Sequence, residues 1–356
     1  MNNKFDGLLE NCIECNLCVE TCDFLAAYGN PREIDVRLNT ALEPEIPYSC
    51  SLCSACETVC PAEVPIKEYF LTRRQECVAT GQGPLPAHRG LLFYERMVSS
   101  SLFTSYFLPT GARRVLFPGC GAIGKAPQTI KKLYADLQQK WPEPLGLVLD
   151  CCLKISHDLG RQDFFTKQFT ILRNRLQEAG ITEVITQCPS CTDVFRNHSD
   201  FIVTPVYHCL TETDEIAKPQ PTTQYAVHDA CVLRRDKETQ TAVRQLLTQR
   251  GATLAPLPLE GEHTVCCGEG GAAWCLDKNL PTRYRERRLQ GCEAPMVVYC
   301  YACRDFIDPK DEAGIVHILE LVFGSENRYP GWRTWLNRWS LKNYVKKLKN
   351  ISNCSA

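Results

Sequence analysis

The stretch Val265-Cys266-Cys267-Gly268-Glu269-Gly270-Gly271 carries the most specific chemistry in this chain. Two adjacent thiols join in a disulfide only under strain, because one trans peptide between them opposes the geometry of the bridge. Both can face one polynuclear metal centre where the backbone turns tightly, and glycine permits that turn. Cys231 upstream and Cys300-Tyr301-Ala302-Cys303 downstream raise the thiols available for one site to five.

A second kind of cysteine run lies near the N-terminus. Cys12, Cys15, Cys18 and Cys22 follow one spacing, and Cys50, Cys53, Cys56 and Cys60 repeat it with Pro61 behind. Two-residue gaps let successive thiolates curl around one cubane, and the fourth cysteine is thrown across to the neighbouring cluster. The spacing therefore assigns Cys12, Cys15, Cys18 and Cys60 to one [4Fe-4S] centre, and Cys50, Cys53, Cys56 and Cys22 to the other. A zinc site would want its ligands as separated pairs. Asp23 stands where proline usually follows the fourth cysteine. The segment from Phe24 to Ser49 is too long for a minimal ferredoxin, and Glu33 to Leu38 within it reads as helix. Residues 1–110 are thus expected to form a helical, two-cluster ferredoxin-like domain.

Further elements must position the remaining thiols. Ile66, Tyr69, Phe70, Arg73 and Cys77 recur at helical spacing, which turns Cys77 inward as an inert core thiol. Residues 91–107 read as helices packed back on the first domain. After Pro109-Thr110-Gly111 the pattern alternates: strand at Val115–Phe117, helix at Thr129–Gln139, strand at Leu145–Leu149, helix at Phe164–Ala179, strand at Glu183–Thr186. That rhythm predicts a parallel sheet with helices on its faces. Cys120, Cys151, Cys152, Cys188 and Cys191 follow the strands, at the carboxyl edge where open parallel sheets bind ligands. The order then returns with Tyr225-Ala226-Val227 before Cys231, Thr264-Val265 before Cys266 and Cys267, and Met296-Val297-Val298 before Cys300 and Cys303. The matching cysteines are offset by about 110 residues throughout, the mark of an internal duplication. Leu153 in the first copy stands where the second has Gly268, and leucine adopts positive φ only at a cost. The second site is accordingly expected to be the better ligand set. Cys292 reads as core filler, and Cys209, Cys275 and Cys354 have no counterpart.

Composition bounds the setting. Twenty-three cysteines in 356 residues would suit disulfides only in a small secreted domain, and Met1 to Glu10 lacks a basic-then-apolar leader pattern, so a reducing cytoplasm is expected. Forty Lys and Arg balance forty-one Asp and Glu, so charge gives no case for nucleic acid. No apolar run is long enough to span a bilayer.

With these motifs in view, the chain resembles the heterodisulfide reductase family, as if its C-like and B-like subunits were fused. It is also similar to iron-sulfur subunits of glycolate, lactate and anaerobic glycerol-3-phosphate dehydrogenases. The resemblance rests on eighteen cysteines in family order between about residues 5 and 320. It implies an α+β multidomain fold: the N-terminal domain, then two duplicated α/β CCG modules with short parallel sheets at 111–222 and 223–325. It further implies a noncubane [4Fe-4S] cluster on Cys231, Cys266, Cys267, Cys300 and Cys303, and a second on Cys120, Cys151, Cys152, Cys188 and Cys191. The implied activity is two-electron reduction of a disulfide with electrons from the two cubanes, Cys266 and Cys267 lying at the reacting site. A flavoprotein or hydrogenase-type donor subunit and a disulfide, thiol or quinone substrate are the implied partners. The alternative is a conduit between a flavin dehydrogenase and quinone or a membrane complex, with no substrate of its own.

Some motifs compete with this reading. Gly119 to Gly124 matches G-x-G-x-x-G after a strand, but Cys120 sits inside it, the second copy has no such glycines, and Ala126 replaces the hydroxyl a phosphate loop needs. His157, His208 and His228 lie near cysteines and could deliver protons; His228, three residues before Cys231 and beside Asp229, is the strongest candidate. Residues 326–356 are a basic tail in which Trp332, Trp335, Leu336 and Trp339 recur at helical spacing. Such a helix suits either the headgroup region of the cytoplasmic membrane face or a partner subunit.

Overall fold

The structure, a computed structural model, describes residues 7–211, 223–324 and 331–354. The expected boundary between residues 222 and 223, the first six residues and the start of the tail at 326 lie outside the described residues. The N-terminal part is a set of short helices around the cysteine loops. Asn30-Pro31-Arg32-Glu33 starts the helix Pro31–Thr40 with a capping box: the Asn30 side chain accepts from the Arg32 and Glu33 amides, and the Glu33 carboxylate accepts from the Asn30 amide at 2.8 Å. This helix buries Ile34 and Leu38 beneath the first cysteine loop. The helix Ile66–Ala79 buries Ile66, Tyr69, Phe70, Arg73 and Cys77 on one face, and also Arg74, which helical periodicity alone did not single out.

Strands β1 (Ser105–Phe107), β2 (Arg114–Phe117), β3 (Leu145–Leu149), β4 (Glu183–Thr186) and β5 (Ile202–Pro205) form one sheet in the order β1-β3-β2-β4-β5. All pairs are parallel except β1 with β3. β3 is buried at every residue, as a parallel strand covered on both faces must be. A second, wholly parallel sheet holds β6 (Gln224–His228), β7 (Thr253–Ala255), β8 (Met296–Val298) and β9 (Val316–His317) in the order β7-β6-β8-β9. Set beside it, β3-β2-β4-β5 has the same arrangement. One correction concerns residues 91–107. Only Arg89–Val98 is helical there, whereas Ser105-Tyr106-Phe107 adds an antiparallel edge to β3, so part of the first sheet precedes residue 110.

The tail expectation also needs revision. The helix Arg333–Cys354 lies along the helices Gly119–Lys125 and Pro127–Lys140 and along β1 of its own chain. Leu341 and Val345 enter the core that also joins Leu116 and Leu147 of the first sheet to Val227 and Val297 of the second. Trp335 packs on Phe103 at 5.0 Å between ring centroids. One apolar face is therefore covered from within; Trp332, Leu336 and Trp339 remain on the outer side. No described helix is long and apolar enough to cross a membrane.

Candidate functional site

Cys12, Cys15, Cys18 and Cys60 line one small cavity of the N-terminal part, and Cys22, Cys50, Cys53 and Cys56 line another. The backbone between the cysteines is tightly curled: Glu14, Asn16, Leu52 and Ser54 all have φ between 51° and 64°. Each such residue costs on the order of 1–2 kcal/mol, so something must hold these loops. Some support is local, since the Leu52 and Val64 amides donate to Cys50 Sγ at 3.4 Å and Cys60 Sγ at 3.5 Å. Burial pushes the Cys18 and Cys22 thiols up to about 11 and Cys50 up to about 12. Deprotonating thiols in such surroundings calls for a cation, which a metal cluster supplies.

The other ten cysteines gather where the expected sheet edges meet. β2 leads to Cys120, β3 to Cys151 and Cys152, β4 to Cys188 and, one helical turn on, Cys191; β6 and β8 lead likewise to Cys231, Cys300 and Cys303. Both groups face one cavity of about 470 Å³, and every one of the ten cysteines except Cys266 lines it. Cys266 sits behind the wall, its sulfur 3.8 Å from that of Cys231. Cys53 packs against it, and the neighbouring Cys266 thiol holds Cys53 below the ordinary thiol range. The second N-terminal quartet thus touches the Cys266-Cys267 loop directly. Among the described residues no three His, Cys, Asp or Glu side chains close on one point as around a single metal ion. The thiols instead ring cavities, as a polynuclear body requires.

The first site makes the turn that leucine was expected to oppose. Leu153 adopts φ 63° and Gly268 φ 92°; the amide of each donates to the first cysteine of its pair, Cys151 Sγ at 3.4 Å and Cys266 Sγ at 3.3 Å. The same turn is built at both cysteine pairs. Leucine is tolerated because its side chain is buried with Phe165, Phe169 and Val194, and burying a leucine contributes about 1.5–3 kcal/mol against a left-handed penalty of roughly 1–2 kcal/mol. Leu153→Gly would relieve the penalty and leave a cavity, a net loss of about 1–3 kcal/mol. A chemical-denaturation midpoint that rises in this variant would show that strain outweighs packing.

His228 is not among the residues lining the cavity. It is buried at the end of β6 with no hydrogen-bond partner on either ring nitrogen among the described residues, and burial lowers its pKa to about 4. A neutral ring in that position is poorly placed to feed protons to the cavity. His157 bonds Asp158 at 2.9 Å and His208 bonds Thr239 at 3.2 Å, both structural contacts. The cavity wall instead carries Glu269, whose carboxyl burial pushes up to about 7, and Lys154, paired with Asp158 and Asp193.

Three arginines missed by motif reading bind the cysteine loops from below. Arg74 donates to the carbonyls of Cys50, Pro47, Asp158 and Gly271; Arg234 to those of Cys53, Glu262 and Thr264; Arg338 to that of Cys120. All three are at most 3% exposed. None has a carboxylate at salt-bridge distance among the described residues. A buried guanidinium without an anion is costly, and thiolate-ligated clusters in the adjoining loops are anionic. The donor sets and these uncompensated cations both fit iron-sulfur clusters. A helical arginine facing inward was the only sequence signal, and it was legible for the neighbouring Arg73, not for Arg74, Arg234 or Arg338.

Comparison with known proteins agrees with this chemistry. Residues 8–64 match the 4Fe-4S dicluster domain. The chain resembles the heterodisulfide-reductase-like iron-sulfur proteins. It is 26% identical over 296 residues to a subunit of the fumarate reductase (CoM/CoB) of Methanothermobacter marburgensis, covering 74% of this chain and 59% of that protein. It is 27% identical over 118 residues to lactate utilization protein B 1 of Bacillus mycoides, covering 30% of this chain and 25% of that protein. An uncharacterized electron transport protein of Escherichia coli, YkgF, is 28% identical over 82 residues, 20% of this chain and 17% of that protein. The chain spans less than two thirds of the length of each of these relatives.

Proposed function

We propose that this chain is an iron-sulfur oxidoreductase subunit with two cubanes in the N-terminal part and noncubane [4Fe-4S] clusters on two duplicated CCG modules. Its reaction is reduction of a disulfide, or a related two-electron substrate, in the cavity between the modules. The observation that carries this reading is that cavity, walled by cysteines from both sheet edges with Cys53 of the second quartet in contact behind it. The equal strand orders β3-β2-β4-β5 and β7-β6-β8-β9 support the duplication. When bound, the clusters supply single electrons that sum to the pair required to split a sulfur-sulfur bond. The chain's own residues hold the two thiol sets across one space, exclude bulk water with Trp274, Phe306 and Trp335, and keep a carboxyl at Glu269 on the wall. Cleavage takes up two electrons and two protons and yields two thiols. A donor subunit, of flavoprotein or hydrogenase type, completes the circuit, because iron-sulfur clusters pass single electrons and a hydride or substrate donor needs a cofactor that splits the pair. The outward Trp332, Leu336 and Trp339 favour a docking role for the tail's free face, on a partner or the cytoplasmic membrane surface.

Protein purified without oxygen is expected to hold about sixteen irons and as many labile sulfides. Its EPR spectrum should change when a thiol or disulfide is added, and Cys267→Ser should abolish that response and turnover. About eight irons with cubane signals alone would leave a conduit and remove disulfide reduction from the account.

A further inference from the structure

The C-terminal helix reaches back across the chain to the first α/β unit and ends its reach beside a cluster cysteine. Thr334 Oγ1 and Asn337 Nδ2 donate to the Gly124 carbonyl at 3.2 and 2.8 Å, which fixes the helix against Gly119–Lys125. A β-carbon on Gly124 would stand 2.5 Å from Thr334 Oγ1, so the close approach requires glycine there. Held by these contacts, Arg338 is 1% exposed and donates from Nη2 to the Cys120 carbonyl at 2.5 Å and to Tyr94 Oη at 2.7 Å. Its guanidinium also lies 5.5 Å from the centre of the Tyr94 ring and 5.8 Å from that of Trp335. Among the described residues its Nε has no hydrogen-bond partner and no carboxylate is at salt-bridge distance. The buried charge is left facing the five-cysteine site of the first unit.

We propose that Arg338 is a positioning residue for the first-module cluster: its buried charge stabilises the reduced, more negative state and so raises that cluster's reduction potential. The proposal rests on the reading that Cys120, Cys151, Cys152, Cys188 and Cys191 hold a cluster. Charge and hydrogen bonding around the ligands are among the levers that set such potentials, and burial leaves the field of a nearby cation weakly screened. A residue acting only as a brace would leave the potential alone. Arg338 is 147 or more residues away in sequence from every thiol it serves, so the helix that carries it is a functional part of the centre.

The test is an EPR-monitored redox titration of the full chain purified without oxygen, as wild type, Arg338→Gln and Arg338→Lys. The signal lost in Cys191→Ser identifies the first-module cluster. The glutamine variant is expected to shift that midpoint to lower potential and leave the cubanes and the second-module cluster where they were. The lysine variant, which keeps the charge without the guanidinium that bridges the Cys120 carbonyl and Tyr94 Oη, is expected to stay near wild type. An unmoved midpoint in the glutamine variant, with the cluster present, overturns the proposal. If the glutamine variant loses the cluster on purification, the lysine variant decides: a lowered midpoint there overturns the charge account, and a retained one supports it. Absence of any Cys191-dependent signal in wild type overturns the underlying assignment instead, and the proposal with it.

Discussion

Arg74→Met is expected to loosen the whole assembly, with a fall of several kcal/mol in stability. The guanidinium is fully buried and donates to Pro47 O at 2.9 Å, Asp158 O at 2.7 Å, Gly271 O at 2.7 Å and the Cys50 carbonyl. These acceptors come from the N-terminal part, the loop after Cys151-Cys152 and the loop after Cys266-Cys267. Methionine fills much of the same volume and donates to none of them. An orphaned buried acceptor costs roughly 1–3 kcal/mol, and four acceptors are affected together, so the effect exceeds that of an ordinary core substitution. Lysine would reach fewer carbonyls and should lie between. Denaturant midpoints and limited proteolysis measure the loss. A midpoint within error of wild type would mean that the carbonyls find other donors and that Arg74 is not the tie between the three loops.

Gly271→Ala is expected to push the second quartet away from the second five-cysteine site. A β-carbon there would stand 2.6 Å from the Cys50 carbonyl oxygen and 2.8 Å from the Ser51 carbonyl carbon, both backbone atoms that cannot rotate away. The residue also has φ 63°, a conformation disfavoured for alanine. Relief must come from separation of the two loops, at an overpacking cost of about 1–3 kcal/mol. Electron transfer weakens steeply with distance, so on the proposed function reduction of clusters at the five-cysteine sites through the N-terminal cubanes should slow while total iron is unchanged. Freeze-quench EPR after mixing with a reductant follows both steps. Wild-type rates in this variant would place the electron route elsewhere than across the Cys53-Cys266 contact.

The two predictions share a cause that local pattern reading could not reach. The helix over 66–79 was legible from its apolar spacing, yet Arg74 lies beside Arg73 on that helix, and nothing in that spacing distinguishes an arginine that ties carbonyls from an ion-paired one. Arg73 does pair, with Asp35 and Glu76; Arg74, stacked over Tyr48, donates its hydrogen bonds to carbonyls, up to 197 residues away. Leu153 misled for a related reason. Propensity weighs a left-handed leucine by its own penalty, whereas Phe165, Phe169 and Val194, brought in by the sheet, supply the compensating packing. The tail shows a third case: its amphipathic face was visible, but what covers that face is settled by Leu341 and Val345 meeting the first sheet.

By itself the sequence determined the short-range matters: which cysteines follow which strands, the return of the same cysteine order about 110 residues on, and the helices and parallel strands that space the thiols. Those are local because ligand spacing and secondary-structure period are both written over a few residues. Only the tertiary structure decided that both thiol sets face one cavity, that Cys53 meets Cys266, that His228 is shut away from that cavity, and that Arg338 comes to rest on Cys120. Each of these joins distant segments through burial and a few directed hydrogen bonds, and such contacts leave no period in the chain.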